Sequence, residues 1–251
     1  MVKASYTVAL TGAGMSAESG IPTFRGPGGL WTKKGEPDIR IYETFLDDPK
    51  SWWGSRLWPT DPDTAAFSEA LESARPNPGH YALAGLESAG LIQYVVTQNV
   101  DNLHRVAASV RLAEIHGNRF KLRCINCVAR FERDEVSTDK LPPRCPHCQG
   151  LLKGDGVMFG EPIPRDVLET STEQALLCDC MLLIGTSALV CPAAGLPATA
   201  QRHGAFLIEI NPLETALSII CDMVVRAPSG EALPRLLDRA RAMREDLAGG
   251  R

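Results

Sequence analysis

Four cysteines, Cys124, Cys127, Cys145 and Cys148, stand as two Cys-x2-Cys pairs separated by 17 residues. That spacing is the one used by four-thiolate zinc sites, and in a reducing compartment it points to a metal more than to disulfides. Four thiolates fill a tetrahedron and leave no position for water or substrate, so the expected metal is structural Zn2+. His147, inside Cys-Pro-His-Cys, is the less favoured alternative ligand. A second group of residues lies at the other end of the chain. Gly12-x-Gly14-x-x-Ala17 directly succeeds an apolar run, Tyr6 to Thr11. It matches a dinucleotide fingerprint, in which glycines permit a tight turn and a close backbone approach to pyrophosphate at a helix N-terminus. Alone, the turn is equally compatible with a structural role.

The segment after the turn narrows the chemistry. A hydride-transferring enzyme needs a second strand ending in an acidic residue that grips the ribose. Here a glycine- and proline-rich loop, Ile21 to Trp31, takes its place. Arg25 is expected near the phosphates and Phe24 against the nicotinamide ribose, closing over a bound NAD and excluding water. His116, in Glu114-Ile115-His116-Gly117, is the candidate general base, because an imidazole titrates near neutrality and can activate a ribose hydroxyl. These residues favour NAD as a co-substrate whose glycosidic bond is cleaved.

The elements that must position these groups read as a buried parallel sheet. The runs Leu91 to Thr97, Met181 to Ile184 and Ala205 to Ile210 are short, aliphatic and little alternated, like strands covered on both faces. Polar clusters come directly after them: Gln98-Asn99-Val100-Asp101, Gly185-Thr186-Ser187, and Asn211. Ligands of open α/β sheets bind beyond the carboxyl ends of the strands, so the clusters and the Gly12 turn converge on one site. A helix is expected from Asn77-Pro78 to Gly90, and a last one over Glu231 to Leu247 with Leu233, Leu236, Leu237, Ala240 and Leu247 on its apolar stripe. The fold class is α/β: a Rossmann-like parallel sheet flanked by helices, with a small four-cysteine zinc-ribbon module and a helical insertion. Residues 1–34, 77–118 and 153–251 form the NAD-binding domain. Residues 35–76 and 119–152 are the insertion and the zinc module, forming a small domain. Cys178, Cys180, Cys191 and Cys221 are expected as buried thiols, His80 as a helix-start residue and His203 as a surface one.

Composition excludes other classes. Of 251 residues 44% are hydrophobic and the net charge is −4, which gives no footprint for nucleic acid. No run approaches the roughly 18 apolar residues of a membrane span, and no signal peptide is evident. A cytoplasmic, monomeric protein is expected.

Taken together the motifs resemble the sirtuins, NAD-dependent protein-lysine deacylases, of prokaryotic type. Gly12 through Gly26 is similar to that family's principal NAD motif, with Met15 where isoleucine is usual. Gln98 through His104 is similar to the second motif, Glu114 to Gly117 to the catalytic histidine motif, and Gly185-Thr186-Ser187 and Asn211 to the ribose and adenine contacts. The resemblance implies NAD contacts from Gly12, Ala13, Gly14, Ser16, Glu18, Thr23, Phe24, Arg25, Trp31, Gln98, Asn99, Val100, Asp101, Gly185, Thr186, Ser187, Asn211, Pro212 and Leu213. It implies that the acyl oxygen of an acylated lysine attacks the nicotinamide ribose, nicotinamide leaves, and the acyl group ends on ADP-ribose. His116 would deprotonate the ribose hydroxyls, Asp101 hold the carboxamide, and Asn99 position ribose and water. Val157-Met158-Phe159-Gly160-Glu161 resembles the strand to which the substrate backbone adds.

The chain departs from the pattern at several places. No helix precedes the first strand, so the sheet edge there is expected to be less covered. Lys153-Gly154-Asp155-Gly156 stands where an Arg-Pro pair is common, implying a more flexible entry to the substrate strand. Ala108 and Cys191 replace a glycine and a frequent tyrosine. Relatives that remove succinyl or malonyl groups carry Tyr-x-x-Arg, for which Trp53-x-x-Arg56 is the candidate here, against a reading of Trp52 and Trp53 as packing aromatics. A mono-ADP-ribosyltransferase or NAD glycohydrolase breaks the same bond and stays open as an alternative. A non-catalytic NAD sensor is disfavoured by His116, Asn99 and Asp101, and a dehydrogenase by the missing acid.

Overall fold

The computed structural model describes residues 3–249, with the side chains beyond residue 244 left out of the description. The aliphatic runs form a six-stranded parallel sheet. Its strands are β1 (Thr7–Thr11), β2 (Tyr94–Thr97), β3 (Leu112–Glu114), β7 (Cys180–Ile184), β8 (Phe206–Ile210) and β9 (Met223–Val225), in the order β3-β2-β1-β7-β8-β9. β1 and β7 are buried at all five positions, which is why their sequences do not alternate. β1 lies between β2 and β7, so the sheet edge expected at the start of the chain is instead the middle of the sheet.

Helices cover both faces. The helices are α1 (Leu30–Lys34), α2 (Ile41–Asp47), α3 (Pro49–Leu57), α4 (Pro62–Ser73), α5 (Pro78–Ser88), α6 (Leu103–Val106), α7 (Arg165–Leu177), α8 (Leu196–Arg202) and α9 (Ser229–Gly249). On one face Leu83 and Leu86 of α5 meet Leu233, Leu237 and Ala240 of α9 over Ala9, Val95 and Leu182. On the other, Ala175 of α7 and Leu196 and Ala200 of α8 pack on Val8, Leu10 and Leu183. The expected stripe of the last helix is thereby present, except for the Leu247 side chain, which lies outside the described residues together with the tail residues Gly250 and Arg251. α5 starts where Asn77 accepts from the Gly79 and His80 N–H groups, while His80 Nδ1 accepts from Asn77 N, a reciprocal cap. The apolar run after it is divided: Leu91 and Ile92 donate back to Leu86 O beyond Gly90 at φ +65°, closing the helix, and the strand begins only at Tyr94.

The two insertions fold as separate small elements. Asp48-Pro49 and Asp61-Pro62 start α3 and α4, each aspartate capping an N–H three residues on. The cysteine-bearing segment supplies β4 (Lys121–Cys124), β5 (Arg130–Glu132) and β6 (Leu152–Gly154), which form an antiparallel sheet in the order β5-β4-β6. β6 carries the module past the expected boundary at residue 152, because Lys153 and Gly154 pair with Arg123 and Leu122. Phe45, Trp53 and Leu122 share one apolar cluster, so the helical insertion and this sheet are buried against each other.

Candidate active site

The Gly12 turn is shaped by its neighbour in the sheet. Gly12 N donates to Ile184 O at 3.0 Å and Gly14 N to Gly185 O at 2.8 Å. A Cβ on Gly14 would lie 2.7 Å from Gly185 Cα, and one on Gly12 2.7 Å from Thr186 Cβ. The glycines are required by this approach of two turns, and the chain then passes through two single 3-10 turns, Ala13–Met15 and Ala17–Ser19, in place of the expected helix. Among the described residues the N–H groups of Ala13, Thr186 and Ser187 donate to no protein acceptor. Unpaired donors at the ends of β1 and β7 suit the oxygens of a pyrophosphate.

The other strand ends close around this turn. Gln98 Nε2 donates to Thr186 Oγ1 at 2.7 Å. Asn99 Nδ2 donates to Gly12 O and to Ser16 Oγ, both at 3.0 Å, and Ser16 Oγ donates to Asp101 Oδ2 at 2.6 Å. Ser16 is therefore a buried link between Asn99 and Asp101. Burial holds the Asp101 carboxyl above the usual carboxylate range, opposed by the hydrogen bonds from Ser16 and Leu103 N. Val100 O accepts from Arg119 N at 2.9 Å, fixing the backbone of this cluster. Asn211 accepts from Leu213 N and reaches Thr186 O at 3.5 Å, and Leu213 Cδ1 would lie 3.8 Å from a Cβ on Gly26. The Thr23 to Trp31 loop thus reaches the Asn211-Pro212-Leu213 turn, bringing the first and last of the expected clusters together.

His116 leaves the end of β3 with its ring fixed. Its Nδ1 lies 3.2 Å from Gln98 O. A carbonyl only accepts, so Nδ1 carries the proton and Nε2 presents a lone pair. That Nε2 is buried with no partner among the described residues. Burial pushes the imidazole pKa down, which keeps the ring neutral and competent as a base. His116 O accepts from Val157 N at 2.8 Å, joining this histidine to the segment expected to receive substrate. Val157 and Met158 belong to no strand and Phe159 opens a turn closed by Glu161 N on Met158 O, but among the described residues Val157 O and Phe159 N have no hydrogen-bond partner, so an added strand would find them free.

Aromatic rings connect that segment to the loop. Phe24 and Trp31 are 4.7 Å apart between centroids, Trp31 and Phe159 5.4 Å. The loop is braced by Leu30 N on Thr23 O, Trp31 N on Phe24 O and Thr23 Oγ1 on Arg25 O. Arg25 lies over the Trp31 ring at 4.5 Å and donates to Glu36 at 2.8 and 2.7 Å. With Glu36 60% exposed, this pair holds Arg25 by under about 1 kcal/mol, and a phosphate can replace it.

The four cysteines of the motif converge, all Sγ atoms lying within 4.8 Å of one another. Cys124 to Cys148 is 3.5 Å and Cys127 to Cys145 3.7 Å. A tetrahedron with Zn–S bonds of about 2.3 Å has edges of about 3.8 Å, so the set fits zinc and is far too long for disulfides. His147 stays outside it, its ring 5.1 Å from Phe131. Of the other four cysteines, Cys178 and Cys180 are buried as expected, but Cys191 is exposed and Cys221 half-buried.

Several residues are held by partners that their own segments do not supply. Glu18 accepts from Gly230 N at 2.7 Å and so caps α9, a contact that depends on residues more than two hundred positions away. Trp53 is 5% exposed and its indole N–H donates to Leu152 O at 2.9 Å, so it belongs to the core of the small elements and has no donor left for an acyl group. Arg56 stays accessible to solvent, 5.2 Å from the Trp52 ring, in a wall of protein that pushes its pKa down to about 10 together with the charges of Arg119 and Arg133. The entry to Val157 is not loose either: Lys153 Nζ donates to Gly154 O and Gly156 O at 2.7 and 2.8 Å, and Asp155 accepts from Asn118 N. Sequence reasoning also missed the buried ring pair His80 and His104, 5.0 Å apart, of which His104 Nε2 meets Thr11 Oγ1 at 2.9 Å. Their neighbours come from distant segments, so nothing local signalled them.

Comparison with known proteins bears on the same residues. A model of the Sir2 family matches residues 12–192. The "NAD-dependent protein deacylase 2" of Pyrobaculum aerophilum is 40% identical over 241 residues, covering 96% of this chain and 93% of its own. A solved Sir2 homologue–NAD complex superposes with a TM-score of 0.80 at 39% identity over 96% of this chain and 91% of the other. A Sir2–p53 peptide–NAD+ complex gives 0.76 at 31% identity over 96% and 95%.

Proposed function

The chain belongs to the Sir2 family, and from that premise we propose that it is an NAD-dependent protein-lysine deacylase in which His116 is the general base. NAD is its co-substrate, zinc its structural metal and acylated protein its substrate. The observation that carries the role of His116 is its Nε2: buried, unpartnered, and oriented by the Nδ1–H bond to Gln98 O.

Bound NAD supplies a glycosidic bond from which nicotinamide can leave and a ribose that receives the acyl group. The chain's residues do the rest. Ala13, Thr186 and Ser187 offer N–H groups to the pyrophosphate, Gly12 and Gly14 let the two turns meet, and Thr23, Phe24, Arg25 and Trp31 cover it. Asn211, Pro212 and Leu213 close the adenosine end. Asn99 and Asp101, tied through Ser16, orient the nicotinamide ribose and carboxamide, with Gln98 and Val100 holding that backbone. His116 takes the ribose hydroxyl proton at Nε2, a contribution of roughly 10²- to 10⁴-fold. Val157, Met158 and Phe159 receive the peptide by strand addition. Cys124, Cys127, Cys145 and Cys148 hold zinc away from the reacting groups.

Residues 35–76 and the cysteine module act as one small domain beside the sheet domain, a division supported by their shared cluster around Phe45 and Trp53. Acetyl groups are the basic substrate. Removal of acidic acyl groups rests on Arg56, which has no carboxylate partner among the described residues. A cytoplasmic monomer without nucleic-acid partners completes the reading, supported by a cysteine set that suits zinc and not disulfides and by a net charge of −4. No described helix is long and apolar enough to cross a membrane.

Mass spectrometry of reactions containing NAD and acetyl-, succinyl- or long-chain-acyl-lysine peptides tests this directly. O-acyl-ADP-ribose and free lysine peptide are expected from the native chain, and neither from His116→Tyr. Full deacylation by that variant would sink the mechanism. Nicotinamide release without any acyl peptide would favour a glycohydrolase or ADP-ribosyltransferase. Arg56→Met is expected to lose succinyl but not acetyl turnover; equal retention of both assigns Arg56 to the surface.

A further inference from the structure

Four charged side chains lie beneath the substrate segment and take no part in the steps above. Lys153 and Arg123 face Asp155 and Glu161, with side-chain exposures of 0, 5, 4 and 3%. Two positive and two negative charges neutralise one another out of reach of water. Lys153 Nζ donates to Gly154 O at 2.7 Å and Gly156 O at 2.8 Å and is ion-paired with Glu161 Oε2 at 3.0 Å. Glu161 Oε2 accepts from Met158 N at 2.8 Å, and its Oε1 from Arg123 at 2.7 Å. Asp155 accepts from Arg123 Nε at 2.9 Å, from Arg130 Nε at 3.2 Å and from Asn118 N at 3.0 Å.

The network terminates on main chain at both sides of one short stretch. It fixes the carbonyls of Gly154 and Gly156 ahead of Val157 and the N–H of Met158 behind it. It also fixes Asn118, two residues from His116. Gly154 and Gly156 would otherwise leave this stretch free to adopt many conformations. We infer that Lys153, with Glu161 as its counter-ion, is a positioning residue for the acylated peptide. It holds the backbone of residues 154–158 in one conformation so that substrate can pair at Val157 and Phe159, and it holds that segment in register with His116. The inference rests on the reading of Val157 to Phe159 as the strand that receives substrate.

Steady-state kinetics on the whole chain with one acetyl-lysine peptide, alongside calorimetric titration of ADP-ribose, provide the test. Lys153→Met is expected to raise the peptide KM about tenfold, with ADP-ribose affinity within about twofold of native, and Lys153→Arg to recover most of the loss. Where Lys153→Met fails to fold, the neutral pair Lys153→Met with Glu161→Gln removes the uncompensated charge and is expected to show the same rise. An unchanged peptide KM in the folded variants overturns the inference, as does an ADP-ribose affinity that falls in step with it. A native chain that neither binds nor turns over any acyl peptide overturns instead the functional reading underneath.

Discussion

Ala108 holds φ at +68°, a conformation that crowds any Cβ. Replacing it with glycine removes that strain, of about 1–2 kcal/mol, while adding roughly 0.4–1 kcal/mol of chain entropy to the unfolded state. Ala108→Gly is thus expected to stabilise the protein by about 0.5–1 kcal/mol, read as a higher urea midpoint at unchanged slope; a lower midpoint contradicts the strain. His116 gives a second prediction at this scale. Burial lowers its pKa from 6.5, so Nε2 stays unprotonated at and above that pH. The acid limb of the rate profile for acyl transfer should lie below pH 6.5, and a limb above it would assign the base elsewhere. Features set by local spacing were legible in the sequence: the tight turn at Gly12 and Gly14 and the convergence of the four cysteines. Glu18, Ser16 and Lys153 were not, because each is defined by a partner from another segment, Gly230, Asp101 and Glu161.

Among the elements, α5 and α6 bring two histidines into the core beneath the Gly12 turn. Burial lowers His80 to about 4, and burial with the neighbouring His80 charge lowers His104 to about 3. Above pH 6.5 neither is protonated in either state; below it the unfolded chain takes up protons that the native one refuses. Stability is therefore expected to fall as pH drops from 6.5 toward 4, His80 alone contributing a loss of roughly 3 kcal/mol by the lower limit. Urea unfolding at pH 7, 6 and 5.5 should show this loss, and His104→Asn should make the slope shallower by about one proton; an unaltered slope excludes the cause. The small elements depend on metal in a separable way. Structural zinc contributes on the order of 10 kcal/mol, and Trp53 on α3 donates to Leu152 at the start of β6. Chelation or Cys145→Ser is expected to abolish hydrogen-exchange protection in β4–β6 and weaken it in α2 and α3, with β1 and β7 still protected. Loss of protection across all of them at once would show one cooperative unit. Long buried strands were readable as elements because aliphatic runs admit little else. The short edge strands β3 and β9, three residues each, carry too few side chains to leave a pattern, and the run at Leu91 misled because a helix-closing turn uses the same apolar residues as a strand.

At the scale of the whole molecule three rings join the proposed seats of the two substrates. Trp31 lies between Phe24 of the cofactor loop and Phe159 of the peptide segment, at 4.7 and 5.4 Å, and Phe24 also touches Phe67 of α4 at 5.8 Å. A loop packed against both ligands' seats is ordered by either one, so the second ligand meets it already placed. Linkage makes this reciprocal: peptide must raise ADP-ribose affinity by the factor by which ADP-ribose raises peptide affinity. A factor of about five or more is expected in calorimetric titrations of each ligand with and without the other. Trp31→Ala removes the ring joining the two seats while leaving the Gly12 turn and the Val157 backbone intact. In that variant the factor should approach one, whatever affinity ADP-ribose alone loses with a ring of the covering loop. Coupling that survives Trp31→Ala would mean that the two seats communicate by another route, such as the Asn118 to Asp155 contact.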